Sequence, residues 1–301
     1  MATIVVLNYN NHQETSDFVK AIVQHQSLKH VVVVDNCSTD GSYKELLGLS
    51  KYPKVDVIKT IANGGYSSGN NSGVWHALKT YGSEVVIISN PDIEVCDSTI
   101  SALISEIKSA SDIGLVTGLV HDPSGKVISN FAWKVPTYFD IIVNQFRVIS
   151  KVMRAVSNRS IYFNYDAESD GIKLEVGAVS GCFFAIKSSV FEQMRGFDER
   201  VFLYGEENIL GYRLRELGFR SIVLLDKNVV HFGSVFRKSS WRSKIIGNKC
   251  LLDSMKIYLK EYLGVSRLQM LFFLTIFWPA KLENYLYDLL AYLQNRFIKG
   301  K

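Results

Sequence analysis

Residues 30–42 read HVVVVDNCSTDGS. Four consecutive valines leave no polar face, so this segment is expected to be a strand buried on both sides, as in a parallel sheet covered by helices. It then breaks into Asp, Asn, Ser, Thr and Gly, the residues of a turn that opens a helix. The same pattern recurs to either side at TIVVLN (3–8), VDVIKT (55–60), EVVIISN (84–90) and IGLVTGLV (113–120). Between these runs, 13–26, 42–49, 72–81 and 98–109 carry helical spacing, which predicts βαβ units. The fold class expected is α/β with a mostly parallel central sheet. Ligands of such sheets bind beyond the carboxyl ends of the strands. The polar clusters at 8–11, 35–40, 63–71 and 90–92 fall on those ends and predict one site.

At 301 residues, 47% hydrophobic and 21% charged, the chain suits one large globular domain with appendages and excludes a disordered or fibrous protein. A net charge of +5 is too small to imply nucleic acid. Cys37, Cys96, Cys182 and Cys250 are widely spaced without a CxxC pair, so they read as buried thiols in a reducing cytosol. MATIVVLNYN has no basic stretch before its apolar run and reads as the first strand rather than a signal peptide.

Residues 121–175 are less regular and contain an amphipathic segment at 138–156. EVGAVSGCFFAI (175–186) resumes strand character. Helices are expected at 188–194 and 206–217, a strand at 221–225, and helical sequence over 243–298. A dinucleotide-binding unit would need GxGxxG after the first strand, where the chain has Asn8-Tyr9-Asn10-Asn11. A sugar nucleotidyltransferase would need a glycine-rich basic loop there, which is also absent.

Five motifs in order, VVLNYN, VVVVDNCSTDGS, NGGYSSGNNSG, SNPDIEV and GFDERVFLYGEENILGYRLRELGF, resemble the family 2 glycosyltransferases of GT-A fold. The likeness is strongest to the bacterial rhamnosyltransferase-like branch of O-antigen and capsule assembly. It covers residues 3 to about 235. The resemblance implies a catalytic domain at 1–235, with a donor half at 1–120 and an acceptor half at 121–235, followed by a helical tail at 236–301.

The resemblance also implies roles. Tyr9 offers a ring for base stacking and Asp35 an acceptor for the imide N–H of uracil or thymine, with Asn8 and Asp40 beside them. Turn and cap chemistry is the competing reading for Asp35 and Asp40. Asn63, Gly64 and Gly65 lie beside the donor, and Asn70 and Asn71 nearer the helix start, Asn71 as a cap or a contact. Asp92 occupies the place of the DxD motif and would bind Mg²⁺ or Mn²⁺ bridging the donor phosphates, with Asn90 in place of the first aspartate. His231 is placed near the metal or diphosphate, or is structural. The acidic pair Glu206-Glu207 supplies the base, Glu207 being the expected one, while the motif's later aspartate is Ile209 here. Two solvated acids at a helix start are the alternative.

The implied reaction is inverting transfer of one sugar, from dTDP-rhamnose or a UDP-hexose, to a hydroxyl of a polyprenyl-diphosphate-linked glycan. The QxxRW motif and spanning helices of processive synthases are absent. A non-catalytic GT-A domain acting as partner or regulator is the other class. Near the C-terminus, LQMLFFLTIFWPA (268–280) is too short to span a bilayer. The basic residues Arg237, Lys238, Arg242, Lys244 and Lys249 precede Leu271, Phe272, Phe273, Ile276, Phe277 and Trp278. That combination suits a peripheral protein on the cytoplasmic membrane face, with a packed hairpin or a homodimer interface as the alternatives.

Overall fold

The computed structural model describes residues 1–157, 160–165, 172–233 and 241–299. Arg237 and Lys238 lie outside the described residues. Four parallel strands form the first half of the main sheet, β1 (Ala2–Asn8), β2 (Leu28–Asp35), β3 (Val55–Lys59) and β4 (Val85–Ser89), in the order β3-β2-β1-β4. Val31 to Val34 are fully buried, as an apolar run requires when helices cover both faces. The register pairs Asn8 with Asp35, so two polar clusters leave the sheet side by side.

Beyond β4 the sheet becomes mixed. β10 (Phe183–Lys187) runs antiparallel between β4 and β6 (Ile113–His121), and β11 (Arg220–His231) runs parallel to β6. β5 (Ile93–Glu94) and β8 (Lys173–Val176) are antiparallel to β11. A small second sheet pairs β7 (Ala132–Trp133) with β9 (Ala178–Val179). The continuous strand expected at 175–186 is thus three strands, because Ser180–Cys182 turn the chain from the small sheet into the main one. β11 exceeds its expected extent by six residues at its end, passing an irregularity between Leu224 and Asn228 so that His231 is its last residue.

The helices are α1 (His12–Ile22), α2 (Ser42–Leu46), α3 (Gly65–Tyr81), α4 (Asp97–Ser109), α5 (Tyr138–Gln145), α6 (Arg147–Ser157), α7 (Ser188–Gln193), α8 (Glu206–Glu216), α9 (Trp241–Ile257) and α10 (Arg267–Lys299). The largest departure from expectation is α3, which begins seven residues early and makes a helix of the glycine- and asparagine-rich stretch. Gly69 and Gly73 explain it: a Cβ on Gly69 would stand 2.4 Å from Leu7, and one on Gly73 would stand 2.3 Å from Val5 and 2.7 Å from Val34. The helix lies so close to β1 and β2 that only glycine fits, and packing overrides weak helix propensity.

A second core joins the tail to the rest. Ile141 of α5, Val201, Ile209 of α8, Met255, Tyr258, Leu259, Phe273 and Phe277 pack together. The tail helices are broken by a π-helical stretch at Tyr258–Tyr262, and Pro279 sits inside α10 rather than ending it. Phe273 and Phe277 therefore belong to the packed side, while Leu271, Phe272 and Trp278 are exposed. Among the described residues, no helix is long and apolar enough to cross a membrane.

Candidate functional site

The carboxyl ends of β1 and β2 are tied together by side chains. Asn8 is fully buried and donates to Asp35 Oδ1 at 2.9 Å and to Ser38 Oγ at 3.1 Å, while its own Oδ1 accepts from Thr15 Oγ1 at 2.9 Å. Asp35 Oδ2 accepts from the Ser38 backbone N–H at 3.1 Å. Asn8 thus acts through Asp35 and braces it. Tyr9 projects from the strand end with 46% of its surface exposed. Asp40 accepts from the Ser42 backbone N–H at 2.9 Å and shapes the turn into α2. The Ser42 hydroxyl and N–H together hold its carboxyl below the usual range.

The 63–71 stretch is tied to the protein by its own side chains. Asn63 Oδ1 accepts from Gly65 N at 3.0 Å and from Asn36 Nδ2 at 2.9 Å. Gly65, at φ +81°, approaches the carbonyl of Phe202 so closely that a Cβ would stand 2.0 Å from it, and a Cβ on Gly64 would meet the Ser68 side chain. Asn70 and Asn71 lie inside α3, one turn or more past its start. Asn70 donates to Tyr66 O at 3.0 Å. Asn71 is not the cap of α3: it donates to Phe197 O and Glu199 Oε1 at 3.0 and 2.9 Å and accepts from Phe197 N at 2.8 Å.

At the end of β4, the Asn90 backbone N–H donates to Cys182 O at 2.8 Å. Asp92 lies 3.4 Å from His231 Nε2, its side chain only 9% exposed. β5 and the end of β11 bring these two together by pairing His231 with Ile93. Burial opposes charge on His231, but hydrogen bonds to Asp92 and Cys182 outweigh it and raise its pKa to about 10. Among the described residues no three His, Cys, Asp or Glu side chains converge as a complete metal cage. One carboxylate with an imidazole behind it fits Mg²⁺ or Mn²⁺ only where phosphate and water oxygens supply the remaining ligands.

The third cluster sits at the start of α8. Glu206 and Glu207 follow Gly205 and meet different surroundings. Glu206 is 8% exposed, and its Oε2 has no hydrogen-bond partner. It lines a small pocket with Ser67, Gly196, Asp198 and Arg213. Burial and the neighbouring Glu207 charge push its carboxyl well above the usual range. Glu207 is half-buried against Gly181, where a Cβ would stand 3.1 Å from its Oε1. Burial also raises its pKa, partly offset by the backbone N–H groups of Glu207, Gly181 and Gly205. These are not two solvated acids. Ile209 belongs to the second core, so packing demands an apolar residue there.

Tyr66, Cys182 and Asn36 complete the arrangement and were not singled out from sequence. Tyr66 Oη donates to Gly181 O at 2.6 Å, and its pKa is raised first by burial and then by Glu206 and Glu207. Cys182 is the buried thiol of the four; Cys96 is exposed, and Cys37 and Cys250 are half-buried. The single turn Gly181-Cys182 therefore touches the Asp92–His231 pair on one side and Glu207 with Tyr66 on the other.

Residues 3–195 match the family described as glycosyl transferase family 2. Over 208 residues the chain is 29% identical to the N-acetylglucosaminyl-diphospho-decaprenol L-rhamnosyltransferase of Mycobacterium tuberculosis, covering 67% of this chain and 66% of that one. Over 213 residues it is 25% identical to the low-salt glycan biosynthesis hexosyltransferase Agl10 of Haloferax volcanii, covering 71% and 61%. The chain thus spans just under two thirds of the length of these relatives. Among solved structures it is similar to a mannosyltransferase of Pyrobaculum calidifontis in complex with GDP-Man and Mn²⁺, at TM-score 0.55, 17% identity and coverage of 86% and 64%. It is also similar to GalNAc-T7 with UDP, GalNAc and Mn²⁺, at TM-score 0.58, 15% identity and coverage of 86% and 49%.

Proposed function

The chain belongs to glycosyl transferase family 2, with the GT-A fold, and from that premise we propose that it transfers one sugar with inversion from a nucleotide-diphosphate sugar to an acceptor hydroxyl. The observation that carries this reading is the Gly181-Cys182 turn, which has the Asp92–His231 pair on one side and the Glu207 carboxylate on the other. Asp35 and Tyr9 receive the base, and Asn63 and Asn90 flank the donor. Asp92, backed by His231, would hold a divalent cation, which supplies charge neutralisation for the departing diphosphate.

Glu207 is the base. A carboxylate whose pKa is raised takes a proton more effectively than an ordinary one. It removes the proton from the acceptor hydroxyl as that oxygen bonds to the anomeric carbon, and the bond from that carbon to the diphosphate oxygen breaks. The mycobacterial relative's name supports a rhamnosyl group as the sugar moved and a polyprenyl-diphosphate-linked glycan as acceptor; dTDP-rhamnose is then the donor proposed, with a UDP-hexose as the other. A role in O-antigen or capsule assembly follows from such an acceptor. It also favours a peripheral place on the cytoplasmic membrane face, with the exposed side of α10 as contact.

Glu207→Gln tests the assignment. Transfer to a lipid-linked acceptor should fall about 10²- to 10⁴-fold, while donor affinity by calorimetry stays within about twofold of wild type. A variant that transfers at the wild-type rate would remove Glu207 from this role, and a wild-type chain that binds donor but transfers nothing would favour the non-catalytic regulator.

A further inference from the structure

Two residues that line the same small pocket each bury an oxygen without a partner. Ser67, in the first turn of α3, is 1% exposed, and Glu206, the first residue of α8, is 8% exposed. Ser67 Oγ and Glu206 Oε2 accept and donate no hydrogen bond among the described residues. The pocket they share is otherwise mostly apolar and has room for about one water molecule. A bare oxygen in such a place is costly, and an internal water with two or more polar partners is the usual remedy.

The charged and phenolic groups nearby are already committed. Arg213 gives Nη1 to Gly196 O at 2.7 Å, and Asp198 accepts from Arg200 Nη2 and from Tyr262 Oη, each at 2.7 Å. Tyr66, also on α3, keeps its Oη on Gly181 O at 2.6 Å. Burial disfavours charge on Glu206, and the charge that bears on it is that of Glu207, of like sign. Two neighbouring buried carboxylates share one proton more readily than both ionise. Their hydrogen bonds are unequal. Burial disfavours charge on Glu207 as well, but the backbone N–H groups of Glu207, Gly181 and Gly205 favour its ionised form, whereas Glu206 has its own N–H alone.

We propose that Glu206 is a positioning residue: its carboxyl proton is held on Oε2 by a water shared with Ser67 Oγ, which keeps the one negative charge of the acidic pair on Glu207. This deepens the reading of Glu207 as base and rests on it. A proton shared directly between the two carboxyls would occupy a lone pair that the acceptor hydroxyl needs. Glu207 meets Gly181 instead of the pocket, so a water beside Ser67 gives the Glu206 proton another acceptor and leaves Glu207 open.

The test is infrared difference spectroscopy of the full chain at neutral pH, comparing wild type with Glu206→Gln and Ser67→Ala, each checked for folding by its melting temperature. Wild type should carry the C=O band of a protonated carboxyl that moves on exchange into heavy water and is lost in Glu206→Gln. Ser67→Ala should keep that band at a shifted frequency, because the water loses one of its two anchors. A wild type without the band, or one whose band survives Glu206→Gln, overturns the inference, as does a band that Ser67→Ala leaves unmoved. The pH profile of transfer gives a second readout. Whatever the height of the Glu206→Gln profile, its acid limb should stay at the wild-type pH, since the neighbour of Glu207 is uncharged in both. An acid limb about one pH unit lower would mean that Glu206 carries charge in wild type, and the inference fails. If wild type transfers no sugar, the reading of Glu207 as base fails, while the infrared band still decides whether Glu206 holds its proton beside Ser67.

Discussion

Glu206 is an acid that the fold keeps where charge is costly. Burial and Glu207 raise its folded pKa above the unfolded value, so above about pH 4.5 the folded chain binds more protons than the unfolded one. Stability from this residue is greatest below the ordinary carboxylate pKa and declines as pH rises through the window above it. Glu206→Gln should therefore raise the melting temperature at pH 8 and leave it nearly unchanged at pH 5; an equal shift at both would mean the residue is not titrating. The placement of Asp35 and Asp92 at strand ends and of the Glu206-Glu207 pair at a helix start was legible because the polar clusters interrupt apolar runs. Tyr66 and Cys182 were not, since their effect runs through a single backbone turn whose partners are distant in sequence. Asn71 misleads for a related reason: its partners, Phe197 and Glu199, lie more than a hundred residues away.

At the level of elements, α3 shows how a stretch read as loop becomes helix. Its glycines sit where the backbone meets β1 and β2, and substituting one should reverse the usual sign. In an open helix interior Gly→Ala is worth about 0.5–1 kcal/mol in favour of alanine. At Gly73, with Val5 2.3 Å from the new Cβ, the change should destabilise by about 1–3 kcal/mol, read as a lower urea midpoint. The parallel half of the sheet was legible throughout, because runs of Val and Ile fix buried strands to within a few residues. The second half was less so. β10 lies antiparallel between strands far from it in sequence, and no local pattern encodes which neighbours a strand will choose. The amphipathic pattern of 138–156 was visible too, but not which stripe would face out.

For the molecule as a whole, the tail is part of the packing of the α/β unit. Phe273 and Phe277 share a core with Ile209, two residues beyond Glu207. Phe277→Ala should cost about 3–5 kcal/mol and lower the melting temperature clearly, whereas Trp278→Ser, exposed beside it, should move stability by less than about 0.5 kcal/mol. Loss of both to the same extent would mean the second core is not formed. Removing the tail near residue 265 would take Phe273 and Phe277 from that core, so folding is expected to suffer along with any membrane contact.

The placement of β10 also bears on how the chain is made. β4 and β6 are complete once residue 121 has left the ribosome, yet the strand that joins them ends at residue 187. At about 5–20 residues per second, the roughly 66 residues between take about 3–13 s. For that interval two apolar strand edges stand open to pairing with anything nearby. Nascent chains halted at residue 121 should be captured by holdase chaperones or precipitate, and chains halted well past β10 should do so less. Equal behaviour of the two would mean that the early strands stay unpaired until later elements arrive.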